Sequence, residues 1–235
     1  MINFKKKYLL LFLLVTSHSI SHGRSMELKM LGLTYAPEYS YRFLSGNNSN
    51  SWIIDIRNKN EIPKFGFTLG FSLSYQLKGK FFLETAACYS NKGEQTRKQE
   101  LIYDDPDPAA PVTLYKRYSY SFLEIPLQVK YQLFDSTGFF IALGPVVDLP
   151  TQQKVKTFYQ YADGHETNDS HNTSTTNTQI GLAGVAGLGY LFRIYKRCYL
   201  KAEPFFRCSL TPSIGENVKE YFYAYGFDAG IYFSR

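Results

Sequence analysis

Leu123-Glu124-Ile125-Pro126-Leu127-Gln128-Val129-Lys130-Tyr131-Gln132-Leu133 is the stretch whose reading decides the fold. Every odd position is apolar, and Glu124, Pro126, Gln128, Lys130 and Gln132 lie between. Such alternation is a strand with one greasy and one polar face. Eleven residues is about what a tilted strand needs to cross a bilayer, roughly 9–11. Strands of soluble sandwiches more often stop at about 5–6.

The same pattern recurs on both sides. Upstream, Leu31, Leu33, Tyr35, Tyr39, Tyr41 and Phe43 share one face, interrupted by Pro37; the phase differs before Met30, which marks a strand start or a bulge. Phe65 to Leu77 alternates without a break, and Lys78-Gly79-Lys80 turns into a strand with Phe81, Leu83, Ala87 and Tyr89 on its apolar face. Downstream of the turn at residues 134–138, Phe139, Ile141, Leu143, Pro145 and Val147 form one row. Ile180 to Ile194 forms another, turned at Tyr195-Lys196-Arg197 into Leu200 to Leu210, and Tyr221 to Phe233 is the eighth.

Between these strands, Leu44–Pro63, Asn91–Val112 and Pro150–Asn177 read as long loops and Thr211–Lys219 as a medium one. Long and short connections therefore alternate. This is the pattern of an all-β, eight-stranded antiparallel up-and-down transmembrane β-barrel with short periplasmic turns and longer extracellular loops. No helix-period segment is expected outside the N-terminal leader.

That leader carries Lys5, Lys6 and Lys7, an apolar core from Tyr8 to Val15 and small residues to Gly23. The core is too short to span a membrane, so residues 1–23 read as a signal peptide cleaved after Ser21 or Gly23, and residues 24–235 as the barrel. The formal charge is +6; three of those charges lie in 1–23, leaving +3, which is no nucleic-acid footprint. Three cysteines make no disulfide framework. Cys198 and Cys208 lie on the order of 33 Å apart on one strand and cannot pair.

The polar faces are rich in Gly, Ala, Ser and Thr, as a narrow lumen requires, so the large apolar residues point to lipid. Reversing the faces would give a soluble lipocalin-like binder. With the lumen inward, its charges are Glu38, Arg42, Glu84, Glu124, Lys130, Asp148, Arg193, Lys201, Glu203, Arg207 and Asp228. Buried charges need partners, so these read as a structural ion-pair network filling the barrel, with an ion or proton path as the alternative.

Leu123-Glu124-Ile125-Pro126-Leu127, preceded by Tyr89-Ser90-Asn91-Lys92-Gly93, with Leu143-Gly144-Pro145 and Gly187-Leu188-Gly189-Tyr190, resembles the PorT-like outer-membrane β-barrel family of Bacteroidota over residues 30–235. Phe122 stands where that family has Tyr. The resemblance implies an outer-membrane location in a Gram-negative cell and no activity; one branch is linked to protein secretion.

No residue set for catalysis, a cofactor or a metal is assigned. His165 and His171, near Asp163, Glu166 and Asp169, have no regular ligand spacing, and the acidic run at 104–107 lacks the Gly and terminal Glu of a calcium loop. The chain reads as a non-catalytic anchor or interaction module, with a small transport barrel as the alternative. Its expected partners are outer-membrane lipid and proteins met through extracellular loops or periplasmic turns.

Overall fold

A computed structural model describes residues 27–105, 107–134, 138–173, 179–213 and 218–235. The expected signal peptide lies outside the described residues, as do most of the turn at 134–138 and part of the loop at 211–219.

The chain forms β1 (Glu27–Gly46), a 3-10 turn (Asn48–Asn50), α1 (Ser51–Asn60), β2 (Glu61–Lys78), β3 (Phe81–Thr96), β4 (Gln99–Glu100), β5 (Thr113–Gln132), β6 (Phe139–Gln160), β7 (Glu166–Thr173), β8 (Gly181–Tyr195), β9 (Cys198–Ser209) and β10 (Val218–Ser234). All pairings are antiparallel, and eight strands close a ring in the order β1-β2-β3-β5-β6-β8-β9-β10. The short strands β4 and β7 sit outside the ring, on β5 and β6. Of the two readings before Met30, a strand start or a bulge, the structure has the bulge, a register shift between Leu28 and Met30.

The faces follow the alternation. Phe71 is 72% exposed while Ser72 is 2% exposed, and Leu188 is 51% exposed. The large apolar residues point outward, so the lipocalin-like arrangement is not adopted. Glycine at 79 has φ +54, which closes the tight β2–β3 turn at little conformational cost. Among the described residues no helix is long and apolar enough to cross a membrane.

The expected loops are the main correction. Parts of them are strand: β3 runs to Thr96, and β6 continues to Gln160 and folds back as β7, whereas β5 starts at Thr113, where the expected loop Asn91–Val112 ends. Above Tyr89, Leu123 and Leu149 the outward residues turn polar, so the alternation that marks lipid contact ends while the hydrogen-bonded ladder goes on. The second correction is α1, inside the expected loop Leu44–Pro63. It is short and buries no residue completely, which leaves little helical periodicity in the sequence. Arg57 and Lys59 lie in its last turn, where the helix dipole favours cations.

The candidate functional site, a charged lumen in three tiers

The inward positions of the eight ring strands bring charged side chains together at three levels. Nearest the short turns, Lys130 Nζ lies 2.8 Å from Glu84 Oε1 and 3.5 Å from Glu203 Oε2. Lys201 Nζ reaches Asp228 at 2.5 Å, Glu203 at 3.3 Å and Glu84 at 3.6 Å. Tyr232 donates its hydroxyl to Glu84 at 3.2 Å and accepts from Ser72 at 3.0 Å. Both ammonium groups also lie over aromatic rings, Lys130 at 4.5 Å from the Phe140 centroid and Lys201 at 5.5 Å from that of Tyr232.

In the middle tier Glu124 is the hub. It pairs with Arg207, lies 2.5 Å from Lys92 Nζ and accepts from Ser90 Oγ at 2.6 Å. Lys92 also reaches Asp148 at 3.8 Å. Glu38 is buried beside Thr68 Oγ1, 3.5 Å away, and joins no ion pair among the described residues. Tyr120, Phe122 and Phe222 pack above this tier as an apolar layer.

At the mouth, Arg42 pairs with Glu61 and lies 3.3 Å from Glu94 and 3.4 Å from Glu220. Arg57 drops from α1 into the same cluster, 2.7 Å from Glu220 and 3.1 Å from Glu61. Burial opposes its charge, but the neighbouring Glu220 outweighs that and holds the guanidinium above its ordinary range. Beside the cluster, Lys64 donates to Asn91 at 2.6 Å and Ser119 at 2.8 Å.

Of the charges expected in the lumen, Glu38, Arg42, Glu84, Glu124, Lys130, Asp148, Lys201, Glu203 and Arg207 are buried there, and Asp228 is partly so. Arg193 is the correction. Strand β8 continues past Tyr190, its last residue paired to β6, so Arg193 projects beyond the ring and donates to the Lys196 carbonyl at 3.1 Å. It lines a cavity of about 600 Å³ at the end of the short turns, with Phe82, Phe140 and Tyr199. The sequence reading missed Glu61, Lys64, Lys92, Glu94 and Glu220, all buried, and Arg57. Lys92 and Glu94 continue the inward parity of Ser90, a signal present in the sequence once β3 is allowed to run past Tyr89.

His165 and His171 stay on the β6–β7 hairpin. The backbone N–H of His165 donates to Asp163 Oδ1 at 2.9 Å, and His171 pairs with Val155 in the β6–β7 ladder. No cluster of metal-ligating side chains occurs among the described residues.

No curated protein matches the chain. Among solved structures it is similar to Neisserial surface protein A (NspA), with 14% identity and a TM-score of 0.42 over 90% of this chain and 100% of that one. It is similar to the outer membrane protein AlkL in lipid bilayers, with 10% identity and a TM-score of 0.41 over 92% and 95%. It is also similar to Ail of Yersinia pestis, with 12% identity and a TM-score of 0.37 over 88% and 100%. The family model for the outer membrane protein beta-barrel domain matches residues 36–215, well over half of the chain. The closed eight-strand ring, its apolar exterior and that match together establish that the chain belongs to the outer membrane protein beta-barrel domain family, and hence to the outer membrane of a Gram-negative cell.

Proposed function

We infer that this barrel is a non-catalytic anchor that holds an extracellular β-sheet at the cell surface. The observation that carries this reading is the filling of the lumen. Arg42, Glu61, Glu94 and Glu220 are buried at the mouth, and Arg57 of α1 closes over them. Eight-stranded barrels leave an interior that side chains just fill. A mid-lumen void measures about 40 Å³, room for no more than a few waters. What such a barrel offers to other molecules is its exterior: α1, the turns, and the sheet that β4 to β7 raise above the lipid.

Planar-bilayer recording tests this. The wild type is expected to give no stable single-channel steps; steps of reproducible conductance would refute the filled-lumen reading. Within this function, the PorT-like resemblance around Leu123–Leu127 supports a place beside protein-secretion machinery. Cross-linking and pull-down from intact outer membranes check it, and recovery of the barrel without any secretion component would remove that role.

The second reading, a small transport barrel, draws on the periplasmic cavity of about 600 Å³. It requires the mouth tier to open, which Arg57→Met would promote. Conductance that stays at baseline in that variant rejects it.

A further inference from the structure

Above the lipid-facing band, the outer wall of the β3–β5–β6–β7 sheet is ordered in rows by its register. The band ends at the pair Leu123 and Leu149. Ser119 pairs with Lys154 next but one above it, and then Arg117 stands directly opposite Lys156. Two like charges directly opposite each other are unfavourable in a sheet. Among the described residues no acid relieves them. The flanking residues of the same rows are Gly93 and Gln95 on β3 and Asn172 and Ser170 on β7. Arg117, Lys154 and Lys156 have no hydrogen-bond or ion-pair partner among the described residues. Arg117 instead lies 5.0 Å from the centroid of Phe158, which stacks on Tyr115 at 4.6 Å. Among the described residues, the next acids on this face are Glu100 and Glu166 at its tip.

We propose that Arg117, Lys154 and Lys156 form a binding site for the phosphorylated glycolipid of the outer leaflet. Charge is the first reason: three cations with no acid of their own fit an anion. Position is the second, because the patch continues upward from the lipid-facing wall. Height is the third. Arg117 lies six residues above Leu123, about 20 Å along the strand, or roughly 15 Å of height at a tilt near 40°. A phospholipid headgroup layer is only about 5–8 Å thick on each side of the hydrocarbon. Lys154, lower on the wall, can bend its long stem down to that layer. Arg117 and Lys156 stand above it, at the level of phosphorylated sugars. The guanidinium fork of Arg117 suits a phosphate geometrically, and the Tyr115–Phe158 stack offers a flat apolar flank to a sugar ring.

The proposal rests on the membrane placement above, and the experiment separates the two. The full chain, refolded in detergent micelles, is titrated with lipopolysaccharide, with phosphatase-treated lipopolysaccharide, with phosphatidylcholine and with heparin as a soluble polyanion. R117Q/K154Q/K156Q is compared with K78Q/K116Q, which removes two lysines elsewhere. A juxtamembrane cation contributes enough that losing three is expected to weaken lipopolysaccharide binding on the order of a hundredfold. K78Q/K116Q should stay near the wild type, and the phosphatase-treated glycolipid should bind wild type as weakly as the triple variant binds the intact one. Retention of the heat-modifiable gel shift shows that each variant is folded. Equal binding by wild type and triple variant, equal binding of the two glycolipid forms, or preference for heparin over lipopolysaccharide overturns the proposal, the last in favour of a soluble polysaccharide partner. A wild-type chain that fails to insert into lipid vesicles overturns the membrane anchor itself.

Discussion

An arginine placed at Phe71 tests whether the outward face meets lipid or water. Phe71 is the fourth of seven outward apolar residues on β2, from Phe65 to Leu77, and its ladder partners are Leu33 on β1 and Ala87 on β3. Since the side chain is 72% exposed from the protein, its replacement removes little packing against other residues. In water such a surface change would fall within about ±0.5 kcal/mol. In lipid, an arginine near the midplane of a barrel costs about 2–4 kcal/mol, falling to about 0–1 kcal/mol near an interface. Phe71→Arg is therefore expected to cost about 2–4 kcal/mol and Leu77→Arg, six residues toward the β2–β3 turn, no more than about 1 kcal/mol. The assay is urea unfolding from phosphatidylcholine vesicles, followed by tryptophan fluorescence and by the heat-modifiable gel shift. The depth dependence is the diagnostic quantity, because a soluble surface gives no gradient. Equal costs at the two positions, or a cost at Phe71 within about 0.5 kcal/mol of zero, refute the lipid-facing assignment.

Three further outcomes follow from the same geometry. With Cys88, Cys198 and Cys208 replaced, a single cysteine at position 71 should react with a lipid-soluble maleimide in liposomes while one at position 72 should not; reversal of that order would invert the face assignment and empty the lumen assignment with it. Glu124→Gln leaves Lys92 and Arg207 facing a neutral amide, an uncompensated buried charge that should destabilise by about 3–5 kcal/mol; a denaturant midpoint close to the wild type would show that Asp148 or water takes over. Arg57→Met removes the ion pairs by which α1 reaches Glu61 and Glu220. Because α1 buries no residue completely, chymotrypsin should then cut after Trp52 several-fold faster, and an unchanged rate would mean that other contacts hold the helix.

What the sequence made legible was the membrane, rather than the sheet. Alternation persists where one face must be apolar, and that need ends with the hydrocarbon. Tyr89, Leu123 and Leu149 are the last apolar outward residues before the polar rows begin, and the strand limits read from sequence fell close to them. Beyond these points β3, β5 and β6 continue with Asn91, Ser121 and Gln152 outward, a polar-on-polar pattern that resembles a loop. The lumen charges of the spanning part were legible for the same reason: Glu84, Glu124, Lys130 and Glu203 each alternate with the residues of an outward apolar row. The mouth tier was not, since Glu61, Glu94 and Glu220 sit where the reading had already left the strand. Arg57 reaches the tier from a helix, and no strand parity could have shown it. Arg193 failed in the opposite sense: its parity is inward, but β8 outlasts β6 at that end, and parity carries no information on where a neighbouring strand stops.

The small residues of the inner wall and its charges prove to be one feature. A side chain built on Gly32 or Gly230 would run into the ring of Tyr232, at 2.6 Å and 2.8 Å. One on Gly189 would strike Phe140, and one on Gly187 the carboxylate of Glu203. Tyr232, Phe140 and Glu203 thus each lie down on a glycine of a neighbouring strand, and Tyr232 also on Gly230 of its own. Tyr232 and Phe140 are also the rings over which Lys201 and Lys130 are held. The glycines set the rings, the rings help fix the ammonium groups, and those groups bridge Glu84, Glu203 and Asp228 across β3, β9 and β10. A ring of strands so tied has little freedom to breathe. What can vary without disturbing this packing is the wall above the lipid, where Arg117, Lys154 and Lys156 carry charges that the interior leaves unanswered.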